Sequence, residues 1–334
     1  METDTSGGLD RGRGPGRRAR RPAVIAVVAA LAMTLLGCGV GTSAPTSPTR
    51  TQLRPSAGPR CAAGGIQGGD VDRVNGVGAP STASPAPPAA SPRTLRQALG
   101  DALAPVTRDC DGEFAVALLD TRSGASAAYG SRTYDTASIV KVGILATLLL
   151  KAQDERRGLT AKERDAATVM IEHSDNGAAT ALWKVIGGAD GLDAAQHRLG
   201  LTHTRGGRAG LWGLTRTTAT DQLRLLRAVF GEGSALNANS QAYIRALMGR
   251  VTTGQDWGVS AAADAGAGTR LKNGWLPRST TGLWDVNSIG QVTASGRTYL
   301  VAVLSDGSKN MNTGVALVEQ AARAAVGAAA TLRA

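Results

Sequence analysis

Prolines and aromatic residues occupy opposite ends of this chain, and that segregation limits what each end can fold into. Of the 13 prolines all but Pro277 lie at or before Pro105, whereas all 11 aromatic residues lie at or after Phe114. Sequence rich in proline and poor in large apolar side chains cannot bury enough surface to offset the entropy of ordering its backbone. Residues 39–92 are of that kind, built mainly from Ser, Thr, Pro, Ala and Gly. They read as a flexible tether, which divides the chain into 1–37, a tether of 38–92 and a folded part of 93–334. The folded part is long enough for one domain with a sizeable core.

The front of the chain reads as an export address. Residues 11–22 are Arg-rich, and 23–36 (AVIAVVAALAMTLL) form an apolar run of signal-peptide length, shorter than the roughly 20 residues a membrane-spanning helix requires. Leu35-Leu36-Gly37-Cys38 resembles the lipobox of bacterial lipoproteins, with a bulkier residue than usual at Leu36. The resemblance implies cleavage before Cys38 and lipid on its thiol, so that residues 1–37 are a lipoprotein signal peptide. The protein is then expected at the extracytoplasmic face of the cell membrane, held by lipid alone. Arg17-Arg18 and Arg20-Arg21 raise a twin-arginine route, but no full motif surrounds them. In an oxidising compartment Cys61 and Cys110 are a candidate disulfide.

Charge and ligand chemistry narrow the class further. The formal net charge is +11, of which the arginines and acids of the first 22 residues contribute +3, and the remaining arginines are scattered. No basic stripe interleaved with aromatics appears, so nucleic acid is not an expected partner. His173, His197 and His203 form no ligand-spaced cluster with the cysteines, and no metal is expected.

Residues 93–104 carry apolar side chains at helical spacing, and 113–120 and 126–130 read as strands joined at Arg122-Ser123-Gly124. A strongly apolar helix follows over 138–151, then helical patterns at 160–173, 176–187, 190–199, 217–230 and 238–249. Strand patterns return at 268–275, 283–292 and 297–305, and an Ala-rich helix covers 312–330. This order predicts an α+β fold. One antiparallel five-stranded sheet uses both ends of the domain and is flanked by the terminal helices, while a helical lobe occupies about 134–260. A ligand site is expected in the cleft between the lobes.

Three short motifs fall along that cleft. Ser138-Ile139-Val140-Lys141 puts a hydroxyl and an amine on one helix face, with Ser138 expected at a helix N-terminus, where backbone N–H groups favour a developing oxyanion. Ser174-Asp175-Asn176 lies at a helix–helix junction, where it suits an ordinary cap as well as a proton relay. Lys272-Asn273-Gly274-Trp275 lies on a strand, where Gly274 permits close backbone approach. Each alone means little, but the chain has only six lysines and Lys141 and Lys272 both fall inside these motifs.

Ser-x-x-Lys, Ser-Asp-Asn and Lys-x-Gly in that order resemble the motif set of class A β-lactamases and penicillin-binding proteins, and the resemblance covers roughly 93–334. It implies Ser138 as acylated nucleophile, Lys141 as base or proton shuttle, Ser174 as proton relay and Lys272 as partner of a substrate carboxylate. Asn176, Asn273, Gly274 and Trp275 would line the substrate, with the backbone N–H groups of Ser138 and Trp275 as the oxyanion hole. The expected partner is a small acyl compound (a β-lactam, a peptidoglycan peptide or an ester), with no cofactor and a monomeric state.

Three departures bear on activity. Class A enzymes carry a loop glutamate that activates the deacylating water, yet no glutamate lies between Glu172 and Glu232, and the corresponding loop, 205–213, offers Gly and Arg. Asn273 replaces the usual Thr or Ser, and Trp275 is bulky where small residues are common. The leading expectation is therefore a serine hydrolase that is weak or slow on β-lactams. The alternatives are a competent β-lactamase or D-alanyl-D-alanine peptidase with another deacylation base, and a non-catalytic protein that binds the cell wall.

Overall fold

The computed structural model describes residues 93–332. The signal and tether segments, Cys38 and Cys61 lie outside the described residues, and with them the lipidation and disulfide expectations. Helix α1 (Leu95–Asp109) opens on a capping box, in which the Thr94 side chain accepts from the Gln97 N–H and the Gln97 side chain returns the contact. Strands β1 (Glu113–Asp120) and β2 (Ser126–Tyr129) follow as a hairpin, and β3 (Tyr134–Asp135) leads into a short 3-10 turn, Ala137–Ile139. The helical lobe contains α2 (Val140–Asp154), α3 (Ala161–Glu172), α4 (Asn176–Val185) and α5 (Gly188–Arg198). After strand β4 (Arg216–Thr217), α6 (Ala219–Phe230) and α7 (Ala238–Met248) complete it. The chain then returns through β5 (Arg270–Pro277), β6 (Trp284–Ala294), β7 (Arg297–Ser308) and α8 (Met311–Thr331).

The sheet runs β2-β1-β7-β6-β5 and is antiparallel throughout, so both ends of the domain build it. The middle of β1 and of β7 reads as a continuous apolar run because both faces are covered. Along β1, Ala115, Ala117 and Leu119 join the core shared with the helical lobe, while Phe114, Val116 and Leu118 join the core under α1 and α8. Strand β7 divides the same way, with Leu300, Ala302 and Leu304 on one face and Tyr299, Val301 and Val303 on the other. This is the two-residue alternation of a pleated strand, filled on both sides.

Helix α2 is apolar all round, and 12 of its 15 residues are buried, which makes it the central helix of the second lobe. Lys141 is the exception in chemistry, an amine on its first turn that is wholly buried. Among the described residues no helix is long and apolar enough to cross a membrane.

Besides small shifts of element ends, the structure differs from the sequence reading at α1, at Ser138 and at β3–β4. Helix α1 continues past Ala104 through Pro105 to Asp109, because Val106 extends the buried stripe of Leu99 and Leu103 and holds the last turn on the sheet. Ser138 lies in the 3-10 turn, and α2 itself begins two residues later at Val140. The small β3–β4 pairing, Tyr134 with Thr217 and Asp135 with Arg216, carries no periodic signal because each strand is two residues long.

Candidate active site

Edge strand β5 passes directly against the turn that bears Ser138. A Cβ on Gly274 would stand 2.6 Å from the Ser138 nitrogen and 2.8 Å from the Thr136 carbonyl oxygen, so only glycine fits there. Asn287 on β6 secures the same turn from below, its amide donating to the carbonyls of Asp135 (2.9 Å) and Thr136 (3.1 Å). The Thr136 N–H donates to the Thr215 carbonyl at 2.9 Å. Held from these sides, Ala137 adopts φ of 46°, a left-handed conformation that costs a non-glycine residue energy and presents the next side chain, Ser138, to the cleft.

The second hydroxyl is presented in the same manner. Ser174 adopts φ of 57° between α3 and α4, and Asp175 caps α4 by accepting from the Ala178 N–H at 2.6 Å. The 250–257 segment fixes the approach to this turn. The Thr252 N–H donates to the Glu172 carbonyl (2.9 Å) and the Gln255 side chain to the His173 carbonyl (3.1 Å).

Both hydroxyls converge on one amine. Lys141 Nζ lies 3.0 Å from Ser138 Oγ, 3.0 Å from Ser174 Oγ, 2.6 Å from the Ser174 carbonyl oxygen and 2.9 Å from Asn176 Oδ1. The carbonyl and the amide oxygen can only accept. A neutral amine satisfies both with its two hydrogens and turns its lone pair to a serine hydroxyl. Burial, followed by the charge of Lys272, lowers Lys141 to about 7 against the opposing pull of Asp175, so near neutral pH much of it is the free base.

Lys272 is also fully buried, donates to the Asn273 carbonyl at 3.0 Å, and is lowered to about 7 by desolvation. Two buried amines that an anion would recharge make a cationic hollow beside an activated hydroxyl. Such an arrangement can carry out acyl transfer from a substrate bearing a carboxylate.

Ser138, Lys141, Ser174 and Asn176 thus meet directly, Gly274 abuts Ser138, and Lys272 lies near enough to depress Lys141. Asn273, expected to line the substrate, is committed to the protein through its amide nitrogen. It is fully buried, and its amide donates to the carbonyls of Gln255 and Trp257, both at 2.8 Å. It ties the 250–257 segment to β5 and has no hydrogen left for a ligand. The Trp275 ring is half-buried and packs at 57° against Trp257, with ring centroids 5.9 Å apart.

Sequence reasoning missed Asn287, Gln255 and above all Trp212, whose ring centroid lies 5.0 Å from Lys141 Nζ. Trp212 stands in the loop already singled out for its lack of glutamate, and a lone aromatic among glycines and arginines was the available signal. Among the described residues no group of three or more His, Cys, Asp or Glu is placed to hold a metal ion.

A family model described as the beta-lactamase enzyme family matches residues 153–329, more than half of the chain. LppW of Mycobacterium tuberculosis, whose name includes the word lipoprotein, is 30% identical over 182 residues, 52% of this chain and 56% of its own length. LppW of Mycobacterium bovis matches over the same extent, so the chain spans little more than half of these curated relatives. Among solved structures, a class A β-lactamase from Bacteroides cellulosilyticus is 18% identical with a TM-score of 0.62, covering 71% of this chain and 99% of its own. A class A β-lactamase from Mycobacterium abscessus is 22% identical with a TM-score of 0.60, covering 70% and 100%. PBP-A is 22% identical with a TM-score of 0.62, covering 72% and 98%. At these identities the likeness shows the α+β fold, while the chemistry rests on the geometry above.

Proposed function

The chain belongs to the beta-lactamase enzyme family, and from that premise we propose that it is an exported, lipid-anchored serine hydrolase that acylates on Ser138 and deacylates slowly. The observation that carries this reading is the buried amine of Lys141, 3.0 Å from Ser138 Oγ and lowered to about 7. With its lone pair free, Lys141 takes the Ser138 proton as Oγ attacks a carbonyl carbon. The oxyanion forms beside the backbone N–H groups of Ser138 and Trp275. Ser174, hydrogen-bonded to the same amine, passes the proton to the departing nitrogen or oxygen, and the scissile bond breaks. Lys272 receives the substrate carboxylate, which restores the charge that burial suppresses. The substrate class is a small acyl compound with a nearby carboxylate, such as a β-lactam, a peptidoglycan peptide or an ester.

Slow deacylation follows from the loop. Hydrolysis of the acyl-enzyme requires a base for water, and residues 205–213 contain no carboxylate, which leaves the role to Lys141, an amine that already donates to Ser174 and Asn176. A point variant of PBP-A has been captured as an acyl-enzyme with penicillin G, which supports a stable adduct on this fold. Lipid anchoring is supported by Leu35-Leu36-Gly37-Cys38 and by the name of LppW.

The test is intact mass after brief and long exposure to a penicillin, with Ser138→Ala alongside. A lasting adduct on the wild type alone is expected. Rapid drug loss without an adduct would identify a fast β-lactamase and overturn slow deacylation. Inertness toward both a penicillin and an activated ester would leave a wall-binding protein without catalysis.

A further inference from the structure

The amine at the centre of the site is better shielded than its polar partners. Ser138 and Ser174 are half-buried and Asn176 is exposed, yet Lys141 has no exposed surface. Polar partners account for only part of its surroundings, and the Trp212 ring lies over the amine, 5.0 Å from Nζ. The indole is fixed there. Its Nε1 donates to Thr180 Oγ1 on α4 at 3.2 Å, so the single polar group of the ring is engaged away from the amine.

The loop is pinned as well. Thr215 Oγ1 donates to the Trp212 carbonyl (2.7 Å) and accepts from the Gly207 N–H (3.1 Å), while the Gly206 N–H donates to Asp193 (2.6 Å). What Trp212 turns to Lys141 is therefore a π surface, and residues 205–213 carry neither a carboxylate nor a hydroxyl side chain to hold a water.

We propose that Trp212 is a positioning residue that shields the Ser138–Lys141 pair and sets the lifetime of the acyl-enzyme by excluding water from the loop side of the ester. The proposal rests on the acylating-serine reading above. In hydrolysis the oxygen of water bonds to the acyl carbon and gives its proton to Lys141. The bond from that carbon to Ser138 Oγ then breaks, and Oγ recovers a proton from the amine. Exclusion acts on the first event, before any bond changes, so the missing loop glutamate and the added indole reinforce one another.

The experiment compares wild type, Trp212→Ala, Trp212→Leu and Trp212→Phe. Intact mass follows formation and decay of a penicillin adduct, and the pH profile of acylation is measured for each. Replacement by Ala is expected to shorten the adduct lifetime about tenfold or more. It should also move the acylation midpoint up by about one pH unit as water reaches the amine, the charged neighbours Lys272 and Asp175 being unchanged. Phe restores the wild-type lifetime and midpoint, and Leu, which still folds if Ala does not, falls between.

An adduct on the wild type whose decay is unaltered in both Ala and Leu variants overturns this proposal alone. Decay as fast in Phe as in Ala overturns it too, since the ring face would not be what matters. No adduct on the wild type with either a penicillin or an activated ester overturns the acylating-serine reading and this proposal with it.

Discussion

Replacing Lys272 by Met is expected to make the protein more stable while abolishing its ability to take up a carboxylate-bearing substrate. The amine is fully buried, its hydrogen bond is to the Asn273 carbonyl, and desolvation brings it from 10.5 down to about 7. Holding an ordinary amine in that state costs the fold up to about 5 kcal/mol at pH 7 and below. Methionine fills a similar volume without charge and leaves one carbonyl unsatisfied, a loss of about 1–2 kcal/mol. The net gain is therefore about 3 kcal/mol near neutral pH.

Its pH dependence has a definite sign. Between about pH 7 and 10.5 the unfolded chain keeps the proton on Lys272 while the folded chain has released it, so wild-type stability rises with pH across that window. The gap between variant and wild type should accordingly shrink by about 1.4 kcal/mol per pH unit, close about two units above pH 7 and reverse beyond that, where only the unsatisfied carbonyl remains. Removing the Lys272 charge also lets Lys141 rise, which acts in the same direction. Urea unfolding at pH 6 to 10, followed by fluorescence, measures the gap. A Met variant less stable than wild type at every pH, or a gap that stays constant from pH 7 to 10, would refute the reasoning.

Two further outcomes follow from the site. Acylation of Ser138 should rise about tenfold per pH unit up to about pH 7 and level off above it, as Lys141 loses its proton. Stopped-flow acylation rates check this, and a rate independent of pH between 5 and 8 would exclude Lys141 as the base. Gly274→Ala forces a methyl within 2.6 Å of the Ser138 nitrogen. It should reduce acylation at least about a hundredfold by spoiling the oxyanion hole, read by adduct formation, with a stability loss of about 1–3 kcal/mol in urea unfolding.

Much of the architecture was legible because its strands and helices are apolar or periodic segments bounded by turn residues. The eight residues of β1 were identified without error, since an apolar run that short, bounded by turn residues, is of strand rather than helix length. The Ser138–Lys141 contact was legible for a similar reason, because two residues three apart on a helical turn share a face. What escaped was set by tertiary contact. Helix α1 runs through Pro105 because burial of Val106 outweighs the local signal to stop. Asn273 looked like a ligand-facing residue, yet its partners, the Gln255 and Trp257 carbonyls, are backbone atoms of a segment whose path no side-chain pattern encodes. Trp212 belongs to an aperiodic loop, so only the folded chain shows that its ring covers an amine 71 positions earlier.

The pairing of β1 with β7 sets the order in which this protein comes into being. Glu113 faces Asp306 and Asp120 faces Tyr299, so the sheet closes only after nearly the whole domain has emerged. Contacts so distant in sequence slow folding, because a long loop must close before any of them forms. The backbone of Ser138 also waits for Gly274 on β5 before its surroundings exist. A nascent chain therefore carries the serine as an ordinary alcohol, and the surroundings proposed to activate it arrive late and all at once. On the export route proposed above, such timing would leave the chain unfolded and its serine unassembled until the crossing is complete.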